Sequence, residues 1–236
     1  MTITNNRKHR FNTEYFDNID SENKAYFLGL LYADGNNITH NTTEGLSISL
    51  KEEDGYILES LKEQIKSDYP LIKRKSGDIM FYVYSHGFKK KLDSVGVFQR
   101  KTFKLDFPYF LSDNLIKHFI RGYFDGDGCI WNGKRKKMVV KDNKSKFGTR
   151  ERIVHNAKFT FTGYTVFIQQ LQQYLHQQIN LPINKLNYRH KNNLNCATIE
   201  YSGRGNIGKL YKYMYEKSNI FMKRKKLKFE EILEKL

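Results

Sequence analysis

The segment FLGLLYADG, residues 27–35, is answered by IRGYFDGDG, residues 120–128, at a spacing near 93. Both carry Gly at the third position, Asp at the eighth and Gly at the ninth: Gly29, Asp34 and Gly35, then Gly122, Asp127 and Gly128. Self-similarity at a fixed period marks a duplicated architecture. Each copy follows a helix-start signal, Asp20-Ser21-Glu22 or Ser112-Asp113-Asn114, whose oxygens accept from free backbone N–H groups. Residues 25–31 are nearly all apolar, so the first helix is expected to be buried on most sides. The second is apolar but interrupted by Lys117, His118 and Arg121. Small residues recur four apart, Gly29 with Ala33 and Gly122 with Gly126, and residues four apart share a helix face. Glycine inside a helix costs roughly 1 kcal/mol relative to alanine. Close packing of the two helices is the compensation to expect, and each terminal Asp-Gly predicts a left-handed glycine cap.

Outward from each copy the same order of elements recurs. After Gly35 come a strand ending LSISLK (46–51), an amphipathic helix over 54–67 with Ile57, Leu58, Leu61 and Ile65 on one face, strands LIKRK and IMFYVY, and a short helix around 88–95. After Gly128 come a long stretch ending KFTFTG (158–163), the helix TVFIQQLQQYLHQQI with Phe167, Leu171, Tyr174 and Leu175 aligned, strands KLNYRH and ATIEYS, a helix near 206–215 and a basic terminal helix. Each half therefore reads αββαββα. The short linker around Lys104–Asp113 contains Pro108, which disfavours helix before it. The expected fold is α+β: two pseudo-symmetric halves, residues 1–108 and 109–236, packed through the paired helices.

The chain has 236 residues, 39% of them hydrophobic, with 17 Phe and 16 Tyr, enough for a real core. No apolar run reaches the ~20 residues of a membrane span. The start, MTITNNRKHRF, is basic without the apolar stretch of a secretory signal, and resembles a mitochondrial presequence only weakly. Two cysteines, Cys129 and Cys196, argue against a disulfide scaffold, and the seven His form no zinc-ligand cluster with them. The net charge of +16 points to a polyanionic partner. Residues 1–118 carry 17 basic and 16 acidic side chains, whereas residues 119–236 carry 24 and 9, so the excess sits in the second half.

If the two helices pack side by side, Asp34 and Asp127 converge with two negative helix ends, a repulsive arrangement unless a cation is present. Mg²⁺, which prefers oxygen ligands, turns it into a metal site able to serve phosphodiester hydrolysis. One apolar helix ending in Asp-Gly is commonplace and would be read as structure. Two matched copies followed by the same elements reverse that judgement.

These residues resemble the paired motifs of the single-chain LAGLIDADG homing endonucleases. The resemblance covers residues 11–230 and includes KAYFLGLLYADG (24–35), RKTFKLDFP (100–108) and KRKKLKF (223–229). It implies a saddle of two antiparallel sheets on the DNA major groove, with the motif helices at a pseudo-twofold interface. It implies that Asp34 and Asp127, with Ala33 and Gly126 beside them, hold Mg²⁺ or another divalent cation such as Mn²⁺. Lys101 and Lys225 match best as basic catalytic partners. The sixth motif position, Tyr32 in one copy and Asp125 in the other, is not a metal ligand. Arg121 replaces a small or apolar residue and is expected to alter local packing.

The activity implied is site-specific double-strand DNA cleavage by a monomer, on a target of roughly 20 bp read by two sheets of about one helical turn each. A group I intron RNA maturase and a DNA-binding regulator are the alternatives on the same scaffold. Retention of both aspartates favours the nuclease, since a pure binder needs no two carboxylates beside a polyanion. Met1 and the ending EEILEKL lack the Cys or Ser start and His-Asn end of an intein, so an intron-encoded or free-standing enzyme is expected. The implied setting is the cytoplasm, at the nucleoid of a bacterium or phage-infected cell, or an organelle such as a mitochondrion. No protein partner is required.

Recognition is expected on the strands after each motif. In the first half these offer Asn36, Asn37, Thr39, His40, Asn41, Ser47 and Ser49, and amide side chains can pair bidentately with adenine. In the second half, residues 132–158 hold ten Lys/Arg and two acids. They read as an extended hairpin plus loop, with Lys134, Arg135, Lys136, Lys137 and Arg150 toward phosphates or guanines. Later strands add Lys73, Arg74, Lys75, Arg189, His190 and Lys191.

Overall fold

The computed structural model describes residues 9–40, 43–98, 104–139, 150–190 and 193–235. The first motif forms α1 (Glu22–Ala33), where Ser21 caps the start by accepting from the Lys24 N–H at 3.4 Å. It is followed by β1 (Asn36–His40), β2 (Thr43–Lys51), a 3-10 turn (Glu52–Asp54), α2 (Gly55–Gln64), β3 (Ile72–Lys73), β4 (Asp78–Tyr84) and α3 (His86–Ser94). The second motif forms α4 (Asp113–Asp127), followed by β5 (Cys129–Val139), β6 (Arg150–Tyr164), α5 (Thr165–Ile179), β7 (Asn187–His190), β8 (Asn193–Ser202), α6 (Arg204–Met214) and α7 (Lys223–Lys235). The fold is thus α+β with αββαββα repeated, and α7 added at the end. No described helix is long and apolar enough to cross a membrane.

The two sheets have the same topology. Their orders are β1-β2-β4-β3 and β5-β6-β8-β7, and every pairing is antiparallel. Period-two alternation sends one face of each sheet to the helices. Leu46, Ile48, Leu50, Ile79, Phe81 and Val83 are buried on that face of the first sheet, and Phe159, Phe161, Ile199 and Tyr201 on that of the second. The opposite faces carry the partly exposed Ser47, Ser49, Met80 and Tyr82, and Lys158, Thr160, Thr162, Thr198 and Glu200. In the segment before α4, Phe107 is buried among the rings of Phe119, Phe167 and Tyr174, while Tyr109 and Phe110 are exposed.

Helices α1 and α4 pack backbone against backbone. A Cβ at Gly29 would lie 2.0 Å from the Phe119 carbonyl oxygen, and one at Gly122 would lie 1.9 Å from that of Tyr26. The glycine Cα atoms therefore sit within about 3.5 Å of those oxygens, in the range of Cα–H···O contacts. The expectation of a left-handed glycine after each aspartate does not hold. Among the described residues only Gly77, Gly96 and Gly203 are glycines with positive φ, and Gly128 is extended at φ −79°, ψ 152°. The requirement is for space: a Cβ at Gly128 would lie 1.9 Å from the Phe124 ring, and one at Gly35 would lie 2.6 Å from the Leu31 carbonyl oxygen.

Arg121, which stands in the second motif where an apolar residue was expected, is 0% exposed and fully engaged. Its Nε donates to the Ile220 carbonyl at 2.8 Å, one terminal nitrogen donates to the Met214 carbonyl at 2.8 Å and to His118 Nδ1 at 2.9 Å, and the other pairs with Glu22 at 2.6 Å. Glu22 also accepts from the Asn219 backbone and side-chain nitrogens at 2.8 and 2.9 Å. This cluster ties α1, α4 and the segment leading into α7 together. His118 lies 3.6 Å from Glu22, a contact that would suit an imidazolium. Burial first, and then the Arg121 charge, nevertheless push its pKa down to about 4. The geometry agrees with the neutral ring, because Nδ1 must be unprotonated to accept from Arg121.

Substituting Gly29 or Gly122 with alanine should cost at least about 2 kcal/mol, since the colliding atoms are backbone and cannot rotate away. Urea unfolding of each variant measures this. His118 also sets a pH dependence. Its pKa in the folded chain is depressed to about 4 from the ordinary 6.5. Between these values the unfolded chain binds the extra proton, so stability present above pH 6.5 is lost as pH falls toward 4. Denaturation of a His118→Gln variant should show a shallower decline over that window.

Candidate functional site

Asp34 is the residue at which α1 stops: its N–H still donates to the Leu30 carbonyl at 2.8 Å, with φ −103° and ψ −10°. Asp127 is the last residue of α4. The glycine contact between the helices brings their C-terminal ends together. A Cβ at Gly126 would lie 2.3 Å from the Ala33 Cβ and 2.8 Å from Asp34 Oδ2, so Asp34 reaches over the α4 backbone one residue before Asp127. Asp34 is half-buried and Asp127 exposed, both at the level from which β1 and β5 leave.

Lys225 enters this site from α7. It is 7% exposed, and its Nζ donates to the carbonyls of Phe124, Gly128 and Gly126 at 2.6, 2.7 and 3.2 Å. Those carbonyls lie at the C-terminal end of α4, where a cation is favoured, and that of Phe124 also accepts from the Gly128 N–H at 2.8 Å. Three acceptors call for three N–H donors, which only the ammonium possesses. Burial pushes the Lys225 pKa down to about 8, Arg224 pushes the same way, and Asp125, Asp34 and Asp127 pull it back up. Both motif aspartates thus act on one ammonium. Lys101, the other expected basic partner, lies outside the described residues.

Asp125 is fully buried beside this group, and its burial raises its pKa. It accepts from Tyr215 at 2.5 Å, from the Met222 N–H at 2.7 Å and from Tyr26 at 2.8 Å. The sixth motif position is therefore a structural acceptor, anchoring the start of α7 to both motif helices. The motif quoted from the sequence marked the position without its partners, because those partners come from three separate elements.

The candidate reading residues divide by register. Asn36 is exposed opposite Ser47, and Ser47 and Ser49 lie on the outward face of β2. Asn37 does not join them. It pairs with buried Leu46, is 1% exposed, and donates to Asp93 at 2.9 Å and to the Val97 carbonyl. A strand turns successive residues to opposite faces, so Asn36 and Asn37 cannot both face outward. Lys73 pairs with Ile79 in register, and its exposed ammonium meets Glu52. Arg74 contacts the Met80 sulfur, and Lys75 is exposed in the β3–β4 turn. Thr39 and His40 occupy β1 opposite Glu44 and Thr43, and Arg189 and His190 lie in β7. Asn41 and Lys191 lie outside the described residues.

Lys134, Arg135, Lys136 and Lys137 lie in β5 opposite His155, Val154, Ile153 and Arg152, and Arg150 lies opposite Val139. The β6–β8 pairing stops at Lys158 and Ser202, while β5–β6 pairing runs on from Asn132 and Ala157 to Val139 and Arg150. Eight residue pairs thus form a two-stranded ribbon of about 27 Å beyond the sheet. Among the described residues of the first half, two pairs, through Thr39 and His40, extend past the β2–β4 pairing. Trp131, absent from the sequence reading, stands 47% exposed at the root of this ribbon. Its ring covers Gly133, where a Cβ would lie 2.2 Å from the indole. Its signal was the alternation itself, since Trp131 shares parity with outward Cys129 and opposes Lys158.

No family model matches the chain, and no curated protein matches it. Solved structures do. The LAGLIDADG meganuclease I-AabMI bound to uncleaved DNA is 15% identical, with a TM-score of 0.58 over 89% of both chains. The I-SmaMI LAGLIDADG homing endonuclease bound to cleaved DNA is 14% identical, with a TM-score of 0.60 over 89% of this chain and 87% of that one. The I-LtrWI LAGLIDADG homing endonuclease bound to target DNA is 14% identical, with a TM-score of 0.55 over 94% and 89%. At these identities the likeness is one of architecture, and it agrees with the duplicated motif and the paired sheets: this chain has the two-motif LAGLIDADG homing endonuclease fold.

Proposed function

We propose that the protein is a site-specific endonuclease that hydrolyses both strands of duplex DNA with divalent cations, Mg²⁺ or Mn²⁺, held between Asp34 and Asp127. The observation that carries this reading is the meeting of two aspartate-terminated helix ends over Gly126, next to a buried ammonium that both carboxylates influence. The donor set suits a hard cation: two carboxylates and the carbonyls of Ala33 and Gly126 are all oxygen. The Gly126 carbonyl accepts from Lys225 through one lone pair and retains a second. Among the described residues no cluster of three or more His, Cys, Asp or Glu side chains could enclose an ion. Mg²⁺ keeps several waters and binds through one or two carboxylates plus phosphate oxygens. When bound, the cation supplies Lewis acidity toward the scissile phosphodiester.

Asp34 and Asp127 would hold that cation where it meets the scissile phosphates, and the buried Lys225 ammonium keeps positive charge beside the two carboxylates. The outward faces of both sheets present hydroxyl, amide and aromatic groups to the base edges. A two-stranded ribbon is a width the major groove admits. The basic β5–β6 ribbon supports a longer reach along DNA in the second half. Relatives of this fold bound to uncleaved, cleaved and target DNA support a duplex partner. Both sheets and both motifs lie in one chain, which supports action as a monomer on an asymmetric site.

Asp34→Asn and Asp127→Asn should each lower double-strand cleavage in Mg²⁺ by at least about a thousandfold. Target binding in Ca²⁺ should stay within a few-fold of the parent. A cleavage assay on a selected target reads the first and a filter-binding assay the second; binding without cleavage by the parent chain would favour the regulator.

A second expectation concerns the ribbon. It is six residue pairs longer than its counterpart in the first half, which corresponds to about 20 Å, or about 6 bp of duplex. Hydroxyl-radical footprints should extend about that much farther from the cut on one side. Replacing Lys134, Arg135, Lys136 and Lys137 with alanine should shorten that side, and each lost phosphate contact should flatten the salt dependence by about 0.9 in log–log slope. An unchanged slope would return the stretch to the status of a solvated hairpin.

A further inference from the structure

We infer that Asp54 and Tyr56, both in the first half of the chain, are positioning residues for Lys225 in the second half. The inference rests on the nuclease reading for its catalytic meaning, but the contacts stand by themselves. A lysine side chain has four rotatable bonds, so where its ammonium settles depends on how firmly its backbone is held. Four consecutive residues before Lys225 are each pinned. The Phe221 carbonyl accepts from the Tyr56 hydroxyl at 3.2 Å, and the Met222 N–H donates to Asp125 at 2.7 Å. The Lys223 N–H donates to Tyr56 at 2.6 Å, and the Arg224 Nε donates to Asp54 at 2.7 Å.

Two of these anchors are unusual in what they forgo. Asp54 stands at the N-cap of α2, where an aspartate ordinarily accepts from its own helix and contributes roughly 1 kcal/mol. Its side chain makes no such bond. The carboxylate is 2% exposed and is given to Arg224, a residue 170 positions away. A buried carboxylate is tolerated when a cation and well-formed hydrogen bonds meet it. Tyr56 completes the arrangement: its hydroxyl accepts from the first N–H of α7 and donates to the carbonyl two residues earlier, and its ring lies 4.8 Å beneath the Lys223 ammonium. The first turn of α7 is therefore capped by α2 of the opposite half. One residue farther on, Lys225 lands on the three carbonyls at the end of α4. This clamp joins the halves away from the α1–α4 contact, and it sets the ammonium next to Asp127.

The test uses the whole chain and two variants. Asp54→Asn keeps the shape and removes the charge. Tyr56→Phe keeps the ring, removes one hydroxyl and covers the case in which Asp54→Asn fails to fold. The first readout needs neither DNA nor metal: amine acylation followed by mass spectrometry, with Lys225 compared to exposed Lys228. In the parent, Lys225 should react at least about tenfold more slowly than Lys228, and in each variant the gap should narrow to about threefold or less. The second readout is single-turnover cleavage. Each variant should be slower by about tenfold with its DNA dissociation constant unchanged within about twofold. Added to Lys225→Met, Asp54→Asn should cause no further loss, because both act through one group. Unchanged acylation of Lys225 in both variants would overturn the inference, as would a full additional loss in the Lys225→Met background. A parent chain that cuts no DNA would remove the nuclease reading, while acylation would still decide whether the clamp holds Lys225.

Discussion

The contact of two glycines with two carbonyls, Gly29 on Phe119 and Gly122 on Tyr26, governs the geometry of the whole molecule. It lets α1 and α4 approach until their backbones touch, and each helix carries one four-stranded sheet behind it. The relation between the two sheets is therefore the relation between two helix axes. Dispersion between closely packed atoms is small for each pair and large in sum, and it falls away steeply with separation. A methyl group on either glycine would part the helices along their length. It would also part Ala33 from Gly126 and so draw Asp34 away from Asp127.

Around this contact the interior is more charged than a protein core usually is. Arg121 and Asp125 are fully buried, and Lys225 nearly so. Removing such groups from water costs several kcal/mol each unless they are paired and hydrogen-bonded. Arg121 is met by Glu22, His118 and two carbonyls, Asp125 by two tyrosines and a backbone N–H, and Lys225 by three carbonyls. Nearly all these partners belong to segments remote in sequence. The network specifies how the segment before α7 lies against the motif helices, a selection that apolar packing alone would leave looser.

The halves share a topology and differ in how they meet a polyanion. The first sheet ends in a short hairpin and belongs to the part of the chain with nearly balanced charge. The second continues into a ribbon of eight further pairs and belongs to the part that carries almost all of the excess positive charge. The halves thus agree in element order and sheet topology and differ in the length and charge of the strands that run past the sheets.

The duplicated motif, the order of elements, the burial of α1 and the two aspartates were legible in the sequence because each depends on local pattern. Helical periodicity, strand alternation and cap residues act over a few positions, and the helix TVFIQQLQQYLHQQI was bounded by such signals at residues 165–179. The role of the Asp-Gly glycines was misread as a backbone preference, when the constraint is the Phe124 ring and the Leu31 carbonyl. Composition groups Asn37 with the reading residues, and register turns it inward, since a shift of one position changes the face. The partners of Asp125, Asp54 and Tyr56 carry no local signal, because hydrogen bonds across 90 to 170 positions exist only once the chain has folded. By itself the sequence determined that there are two like halves, that their motif helices pair and which two carboxylates they bring together. Only the tertiary structure decided which buried charges meet and where Lys225 is held, because those depend on distances that no spacing along the chain encodes.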